Sequence, residues 1–392
     1  MIILFTDRRA QPNNPNDSHV YSRDTAPNTV RMEAILSSIL GGPCLTYSSG
    51  LSAFHAMLAF LNPRRVAIGA GYHGCHGVIS LLGRLTGLKA VDLDCADEEL
   101  GPGDVLHVET PLNPTGEARD LEFYAAKARR VGAYLTVDAT FAPPPLLEPF
   151  RWGADVIMHS GTKYFGGHSD MLCGVLAVAP RHAAGAAAAE GGQGGGGDWI
   201  RRMRDDRLVL GSVMGSLEGW LGVRSLRTLE LRVRKQSADA TALVRWLADS
   251  IAPSAAANSV VKRAVREVRH ASLQAERDGA EAAAFLQRQM PEGFGAVFSF
   301  VPRDEAAARR LPSKLRLFHH ATSLGGVESL VEWRAMTDRT VDRALIRVSV
   351  GIEGWEALRD DLVQGFEAVL KERAEAAKLG GADVGGSQQI MI

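Results

Sequence analysis

A lysine directly after an apolar run constrains the fold of this chain more than any other feature. Residues 154–158 (ADVIM) are mainly apolar and predict a buried strand of a parallel sheet. The next segment, residues 159–170 (HSGTKYFGGHSD), contains Lys163. A lysine at the end of a buried strand is poorly placed for a solvated ion pair. Desolvation lowers the pKa of such a lysine and frees its amine as a nucleophile toward a carbonyl.

The polar groups around Lys163 indicate a cofactor that carries both an aldehyde and a phosphate. The hydroxyls of Ser160 and Thr162 can donate hydrogen bonds to a phosphate, and the amine of Lys163 can form a Schiff base. Both properties suit pyridoxal 5′-phosphate (PLP). For so short a motif, the alternative is a surface lysine on a polar turn.

A second apolar run ends in a carboxylate. Residues 134–138 (YLTVD) predict a strand that ends at Asp138, and the distance to Lys163 leaves room for one crossover connection. Both side chains then lie at the carboxyl ends of neighbouring strands, where open α/β sheets bind ligands. An aspartate there can keep a pyridine nitrogen protonated, which makes the ring an electron sink. The alternative is a helix N-cap after the strand.

Six further segments accompany the two motifs around Asp138 and Lys163. In chain order, the eight segments are residues 21–23, 47–51, 109–114, 137–138, 159–170, 220–232, 323–330 and 346–353. Together they resemble the Cys/Met-metabolism PLP-dependent enzymes, the family of cystathionine γ-synthase and cystathionine γ-lyase, over nearly the whole chain. The resemblance implies the PLP-dependent transferase fold type I. This is an α/β fold with a mostly parallel central sheet, helices on both faces and a smaller C-terminal α/β domain.

The resemblance divides the chain into three parts. Residues 1–40 form a polar arm that reaches the neighbouring subunit, residues 41–235 form the large PLP-binding domain, and residues 236–392 form the small domain. The alternative for the arm is a disordered tail, and its prolines argue against a long helix before residue 30. Residues 220–247 predict one long helix that bridges the two domains. Strands of the small domain are predicted at residues 295–301, 315–319 and 345–350.

Family positions assign most of the cofactor contacts. Tyr21 and Arg23 match the arm residues that hydrogen-bond the cofactor phosphate of the neighbouring subunit, a task that suits the bidentate guanidinium. Gly50 and Leu51 begin a predicted helix whose backbone N–H groups meet the phosphate, with an ordinary serine N-cap as the alternative. Tyr72 matches the tyrosine that stacks on the pyridine ring and takes part in proton transfer. The remaining assigned contacts are Asn113, near the 3-oxygen of the ring, with Asp138, Ser160, Thr162 and Lys163.

Two residues of the C-terminal part are assigned to the substrate. Arg347 lies in a predicted apolar strand, and a buried arginine needs an anionic partner. The resemblance assigns it the substrate α-carboxylate, and an internal ion pair is the alternative. Ser323 begins a Gly-Gly turn whose family counterpart also lines the substrate pocket.

The segment after Tyr72 departs from the family. The family has a pattern such as Tyr-Gly-Gly-Thr, whereas this chain has His73 and Cys75 at the second and fourth positions. A metal site formed by His73, Cys75 and His76 is the alternative, but ligands so close in sequence and without a distant fourth partner rarely complete a tetrahedron. We therefore expect no metal. The departure bears on substrate specificity and not on the cofactor.

Composition narrows the partners to small molecules and copies of the chain. The net charge of −1 gives no global attraction to nucleic acid or anionic membrane. The arginines at 224, 227, 232 and 234 could form a nucleic-acid stripe, but Glu218, Glu230 and Asp239 interleave them, which favours a solvated or subunit-facing helix side. No apolar run reaches the roughly 18 residues of a membrane span. The four cysteines lack metal or disulfide spacing, so reduced thiols in a cytoplasmic protein are expected. A mobile loop is predicted at residues 182–198 and disorder at residues 380–392.

The resemblance implies replacement chemistry at the γ-carbon of an amino acid such as an O-acyl homoserine. Lys163 removes protons from Cα and Cβ, Asp138 stabilises the protonated ring nitrogen, and Tyr72 assists. A thiol or carbon nucleophile then adds at Cγ. The alternative is a cystathionine or methionine γ-lyase, which yields a keto acid, ammonia and a thiol. A PLP-binding protein without turnover is a third hypothesis, which the presence of all the expected catalytic residues opposes. The family arm implies a homodimer or a homotetramer built as a dimer of dimers.

Overall fold

The computed structural model describes residue 19, residues 21–183 and residues 198–382, with the backbone alone for residues 376–382. Nearly all of the predicted glycine-rich loop and the last ten residues lie outside these ranges. Twelve strands form two sheets within the described residues. The strands are β1 Cys44–Tyr47, β2 Arg65–Ile68, β3 Lys89–Asp92, β4 Val105–Glu109, β5 Tyr134–Asp138, β6 Val156–Ser160, β7 Gly174–Val178, β8 Val265–Arg269, β9 Val297–Pro302, β10 His319–His320, β11 Leu330–Trp333 and β12 Ile346–Ser349.

The larger sheet has seven strands in the order β1-β7-β6-β5-β4-β2-β3. Strands β2 to β6 pair in parallel, and β7 runs antiparallel to both of its neighbours, β6 and β1. The central strands are buried along almost their whole length, as expected for a parallel sheet covered on both faces. Asp138 ends β5 and Ser160 ends β6, so the two side chains lie at the same edge of the sheet.

Twelve α-helices of the described residues connect and cover the strands. They are α1 Pro27–Leu40, α2 Gly50–Leu61, α3 His73–Thr86, α4 Leu121–Val131, α5 Trp199–Leu210, α6 Ser216–Leu226, α7 Leu229–Ile251, α8 Val260–Ala264, α9 Ala271–Arg277, α10 Ala280–Gln289, α11 Glu305–Arg310 and α12 Trp355–Ala382. No helix in the described part of the chain is long and apolar enough to cross a membrane.

Helix α1 begins earlier than the sequence indicated. Pro27 stands in its first turn, where the missing N–H of proline costs no hydrogen bond and its fixed φ favours the helix. The expectation of no long helix before residue 30 is therefore wrong by three residues. Helix α1 is tied to the larger sheet through the buried carboxylate of Glu33, which lies 2.6 Å from Arg207 Nη1 and accepts from the Thr46 hydroxyl at 2.9 Å.

The single helix predicted over residues 220–247 is wrong, because the structure divides it into α6 and α7. The buried side chain of Arg232 donates to the Ser225 carbonyl at 3.1 Å, and the Thr228 backbone N–H donates to the same carbonyl. The hydroxyl of Thr228 also donates to it at 3.2 Å. These three donors occupy the carbonyl at the point where the regular helical hydrogen bonding is interrupted. Helix α7 then runs for 23 residues and contains residues 235 and 236, where the domain boundary stays a prediction.

The smaller sheet has five strands in the order β10-β11-β12-β9-β8. The strands predicted at residues 295–301 and 345–350 are confirmed as β9 and β12. The prediction at residues 315–319 is wrong except for its last residue, since only the two-residue β10 forms there. The backbone N–H groups of Arg316 and Leu317 donate to the buried Asp361 carboxylate instead of to a neighbouring strand.

Candidate active site

A cavity of about 440 Å³ opens where the larger sheet ends at β4, β5 and β6, and residues of the smaller sheet complete its wall. Parallel sheets bind ligands at this edge. Nine of the residues that the sequence singled out line it: Gly50, Leu51, Tyr72, Asn113, Asp138, Ser160, Thr162, Lys163 and Arg347. Three do not line it, namely Tyr21, Arg23 and Ser323.

Lys163 follows β6 and enters the cavity from the sheet. Its Nζ donates to the hydroxyl of Ser323 at 3.3 Å, so Ser323 contacts the lysine although it does not line the cavity. Burial, with a smaller contribution from the Arg347 guanidinium, lowers the pKa of Lys163 to about 8. The amine is therefore much more readily neutral, and nucleophilic, than that of a surface lysine. The alternative of a surface lysine on a polar turn does not describe this side chain.

Asp138 presents a buried carboxylate to the cavity. Its Oδ1 accepts from the backbone N–H and the hydroxyl of Thr140 at 3.0 and 2.6 Å. Its Oδ2 has no hydrogen bond to any described residue, and burial raises the pKa of the group. The N-cap alternative does not hold, because no helix begins directly after Asp138. The next element is the short 3₁₀ helix Pro149–Trp152.

The sequence reasoning missed Glu109, a second buried carboxylate at the same sheet edge. Its Oε2 accepts from the backbone N–H of Tyr72 at 2.7 Å, and its Oε1 accepts from that of Asn113 at 2.8 Å. Burial and then the nearby Asp138 raise the pKa of Glu109 to about 8. Glu109 therefore holds two loops that line the cavity. Its position as the last residue of a strand neighbouring the Asp138 strand could have identified it.

The N-terminus of α2 faces Ser160 across a narrow gap. Ser49 caps the helix by accepting from the backbone N–H of Ser52 at 3.1 Å, which leaves the N–H groups of Gly50 and Leu51 for another partner. A Cβ on Gly50 would lie 3.1 Å from the Ser160 Cβ and 3.2 Å from its Oγ. The serine cap and the free N–H groups thus coexist, and the glycine keeps the space beside them open.

On the opposite wall, Arg347 belongs to a cluster of charges. Arg347 on β12 is directly opposite Glu332 on β11, and its Nη2 lies 2.7 Å from Oε2 of that carboxylate. Its Nη1 donates to Asn113 Oδ1 at 3.3 Å. Burial lowers the pKa of Arg347 to about 10. The internal ion pair that the sequence left open is therefore present, and the guanidinium still lines the cavity. Arg334, the residue directly after β11, also lines the cavity, and Glu332 on β11 contacts both guanidiniums; the sequence reasoning missed both residues.

The comparisons with known proteins decide the family. The family model for the Cys/Met metabolism PLP-dependent enzyme matches residues 4–367. The chain belongs to this family. A cystathionine gamma-synthase of Mycobacterium tuberculosis is 34% identical, with 88% of this chain and 86% of that protein covered. A cystathionine beta-lyase of Lactococcus lactis is 31% identical, with 88% of each chain covered. The apo structure of a methionine gamma lyase from Micromonospora echinospora superposes with a TM-score of 0.77 at 31% identity, covering 93% of this chain and 92% of that chain.

Membership in the Cys/Met metabolism PLP-dependent enzymes makes the protein a PLP-dependent enzyme with fold type I, as the sequence predicted. The cavity fits the cofactor in three respects. The lysine has a lowered pKa, and the buried Asp138 uses only Oδ1 for hydrogen bonds within the described chain. The α2 N-terminus offers N–H groups that no described residue pairs with, beside a gap that a Cβ would fill. These are the groups that an aldehyde, a protonated pyridine nitrogen and a phosphate require.

The two arm residues lie away from the cavity of their own chain. Arg23 Nη1 donates to the Leu208 carbonyl at 2.6 Å, and its guanidinium lies 5.0 Å from the centre of the Tyr21 ring. Tyr21 is 55% exposed. Within one chain, neither residue reaches the site to which the family resemblance assigned it. The assignment to a neighbouring subunit stays a prediction.

Ligand-type side chains meet in a different set from the one considered in the sequence. Cys75, His107 and Asp138 are all buried, and their ligand atoms lie within 4.8 Å of one another. Burial raises the pKa of the Cys75 thiol well above its usual value, which disfavours the thiolate that binds metals. His107 Nδ1 pairs with the Thr136 hydroxyl at 2.9 Å, whereas its buried Nε2 has no hydrogen-bond partner among the described residues. The set has three members, one of them the carboxylate that suits the pyridine nitrogen, and we assign it no metal.

Proposed function

We propose that this PLP-dependent enzyme catalyses replacement at the γ-carbon of an O-acyl-homoserine-type amino acid. The observation that carries the proposal is the convergence of Lys163, Asp138 and Arg347 on one cavity. The replacement direction is supported by relatives named cystathionine gamma-synthase, one of which is 34% identical to this chain. Relatives named as lyases are 28–31% identical, and elimination is the competing reaction that the experiment below separates from replacement.

Each residue has a defined task in this proposal. Arg347 binds the substrate α-carboxylate through its guanidinium and thereby fixes the direction of the Cα–H bond. The neutral amine of Lys163 accepts the proton from Cα, releases it again, and then accepts a proton from Cβ. The hydroxyl of Tyr72 stays protonated, because burial raises its pKa, and it donates a proton to the departing acyl oxygen.

The remaining residues hold the cofactor. Asp138 would pair with the pyridine nitrogen, and Asn113 would lie near the 3-oxygen. The amides of Gly50 and Leu51 and the hydroxyls of Ser160 and Thr162 would bind the phosphate. When bound, PLP supplies an electron sink for the charge that develops at Cα. Thr162 is already engaged with Cys173, whose backbone N–H donates to its Oγ1 at 3.0 Å, so it orients the loop as well.

We also propose that two chains share each active site. Tyr21 and Arg23 are exposed and outside their own cavity, and Arg23 would bring a positive charge to a phosphate that otherwise meets neutral donors. The assembly would be a homodimer or a dimer of dimers. Sites of this family act on amino acids, so the partner molecules are a small amino-acid substrate and further copies of the chain.

Product analysis tests the proposed direction. PLP-loaded enzyme is incubated with O-acetylhomoserine, with and without cysteine, and the products are identified by mass. We expect the thioether product with cysteine present, and no such product from the Lys163→Ala variant. Efficient release of keto acid and ammonia from cystathionine alone, with no thioether from the first mixture, would show that the enzyme is a lyase.

A further inference from the structure

One guanidinium in the cavity wall has hydrogen-bonding capacity that no described residue uses. Arg334 directly follows β11, and its side chain is 3% exposed. It lines the same cavity as Lys163 and Arg347. Its Nε and Nη2 have no hydrogen-bond partner in the part of the chain that the structure describes. A buried charged donor without a partner costs free energy, so this group points to a ligand.

The two unpartnered nitrogens form one edge of the guanidinium. The opposite nitrogen, Nη1, lies 3.3 Å from each oxygen of Glu332. The edge formed by Nε and Nη2 carries two parallel N–H groups, which is the geometry that binds a carboxylate in a bidentate manner. A second carboxylate already approaches this edge, because Asp338 Oδ2 lies 3.7 Å from Nη2, beyond hydrogen-bond length.

Asp338 is not a full partner for this edge. Its Oδ1 accepts from the backbone N–H and the hydroxyl of Thr340 at 2.9 and 2.6 Å, which holds the carboxylate on the turn that follows Arg334. Its position shows that a carboxylate can be accommodated beside the guanidinium. A ligand carboxylate would displace Oδ2 of Asp338 and make the two hydrogen bonds that Asp338 does not make.

Glu332 does not neutralise Arg334 alone, because it serves two guanidiniums. Its Oε2 lies 2.7 Å from Arg347 Nη2, and its Oε1 accepts from the Thr337 hydroxyl at 2.6 Å. These contacts are shorter than the 3.3 Å contacts to Arg334. With Asp338 included, two carboxylates face the two guanidiniums, and what stays unmet is the pair of hydrogen bonds at Nε and Nη2 of Arg334. A ligand carboxylate can accept both of these hydrogen bonds, whereas an ammonium group cannot accept any.

We propose that Arg334 recognises a carboxylate at the far end of the substrate side chain. The inference rests on the proposed function, in which Arg347 takes the α-carboxylate and Lys163 faces Cα. The ligand class is then an amino acid whose γ-substituent ends in a carboxylate, contributed by the departing acyl group or by the entering nucleophile. Arg334 determines specificity in this account and takes no part in breaking bonds.

Non-reacting amino acids test the recognition separately from turnover. Binding of L-2-aminoadipate, L-norleucine and L-lysine to the PLP-loaded enzyme is followed by the change in cofactor absorbance. The three share an α-amino acid head group and differ in the charge at the end of the side chain. We expect 2-aminoadipate to bind about tenfold or more tightly than norleucine, and lysine to bind weakest.

Two variants assign the preference to Arg334. Arg334→Met should bind the anionic and the neutral amino acid about equally, whereas Arg334→Lys should keep part of the preference because it keeps the charge. Equal binding of both amino acids by the wild type would overturn the inference. A preference for 2-aminoadipate over norleucine that persists in Arg334→Met would also overturn the inference, since another group would then bind the distal carboxylate. Failure of every amino acid to bind would instead count against the proposed function.

Steady-state measurements distinguish the two sources of the carboxylate. In one arm, wild type and Arg334→Met are compared on the succinyl and the acetyl ester of homoserine with one nucleophile. In the other, the acetyl ester is kept, and a thiol with a carboxylate is compared with one lacking it. Arg334→Met should lose kcat/KM either with the succinyl ester alone, if the acyl group carries the recognised carboxylate, or with the carboxylate-bearing thiol alone, if the nucleophile carries it. Equal losses in all four reactions would contradict recognition of a distal anion.

Discussion

Burial gives Lys163 a reactivity that an exposed lysine lacks. Its pKa is lowered to about 8, so the neutral amine becomes the major form above that pH. We therefore expect the rate at which the apoprotein takes up PLP covalently to rise through a midpoint near pH 8. The rate is measured from the growth of cofactor absorbance after mixing, across a series of buffers. A midpoint near the ordinary lysine pKa would show that burial does not tune this amine.

Two carboxylates can pair with Arg347, that of Glu332 within the chain and the α-carboxylate of the substrate. If it binds the α-carboxylate, Arg347→Ala should raise KM by an amount that corresponds to about 2–3 kcal/mol, with cofactor absorbance unchanged. The KM of Arg347→Lys should lie between that of the wild type and that of Arg347→Ala, because lysine keeps the charge but lacks the forked geometry. Steady-state kinetics on the acyl homoserine measures the effect.

A control for Arg347 is offered by another buried ion pair, that of Arg207 with Glu33 at 2.6 Å. Arg207 does not line the cavity. Arg207→Ala should lower the free energy of unfolding and leave KM unchanged for the folded fraction. An unchanged KM in Arg347→Ala as well would mean that Arg347 serves only its internal pair.

At the scale of the element, the start of α2 is shaped by the absence of one Cβ. In Gly50→Ala the new Cβ would stand 3.1 Å from the Ser160 Cβ, so the gap beside the free N–H groups narrows. We expect PLP affinity to fall by about tenfold, or about 1.4 kcal/mol, with helix content preserved. Titration of the apoprotein with PLP measures it.

Gly77 on α3 supplies the matched helical control, because a Cβ there meets nothing within 4 Å. Gly77→Ala should raise the free energy of unfolding by up to about 1 kcal/mol, since alanine loses less backbone entropy than glycine in a helix. It should leave PLP affinity unchanged. If Gly50→Ala binds PLP as tightly as the wild type, the gap beside Gly50 is not part of the phosphate site.

The strands that position the site were predictable because a run of apolar residues within one segment marks each of them. Apolar runs that end in Asp138 and Ser160 predicted neighbouring parallel strands, and the sheet places both residues at one edge. The break between α6 and α7 did not follow from the helical spacing of apolar residues, since it involves hydrogen bonds to the Ser225 carbonyl from Thr228 and from the buried Arg232 side chain, seven residues later in the chain. The Glu332 partner of Arg347 was missed because it follows from strand register, which a single strand pattern does not fix.

At the scale of the whole molecule, the arm predicts sites shared between subunits. Arg23→Ala and Lys163→Ala chains should each be nearly inactive alone. Random one-to-one mixing should restore about a quarter of wild-type activity, because half of the dimers are mixed and each of those has one intact site. Subunit exchange is verified by tagging one chain. No recovery after exchange would mean that Arg23 serves only its own chain.

The central claim is that this fold delivers one lysine to the cofactor. Borohydride reduction of the PLP-loaded protein, followed by proteolysis and mass analysis of the labelled peptide, tests it most directly. The account predicts the label on Lys163, whose Nζ lies in the cavity beside Ser323, and no label in Lys163→Ala. A label on any other lysine of the wild-type protein, or an unlabelled protein that still turns over its substrate, would contradict the account.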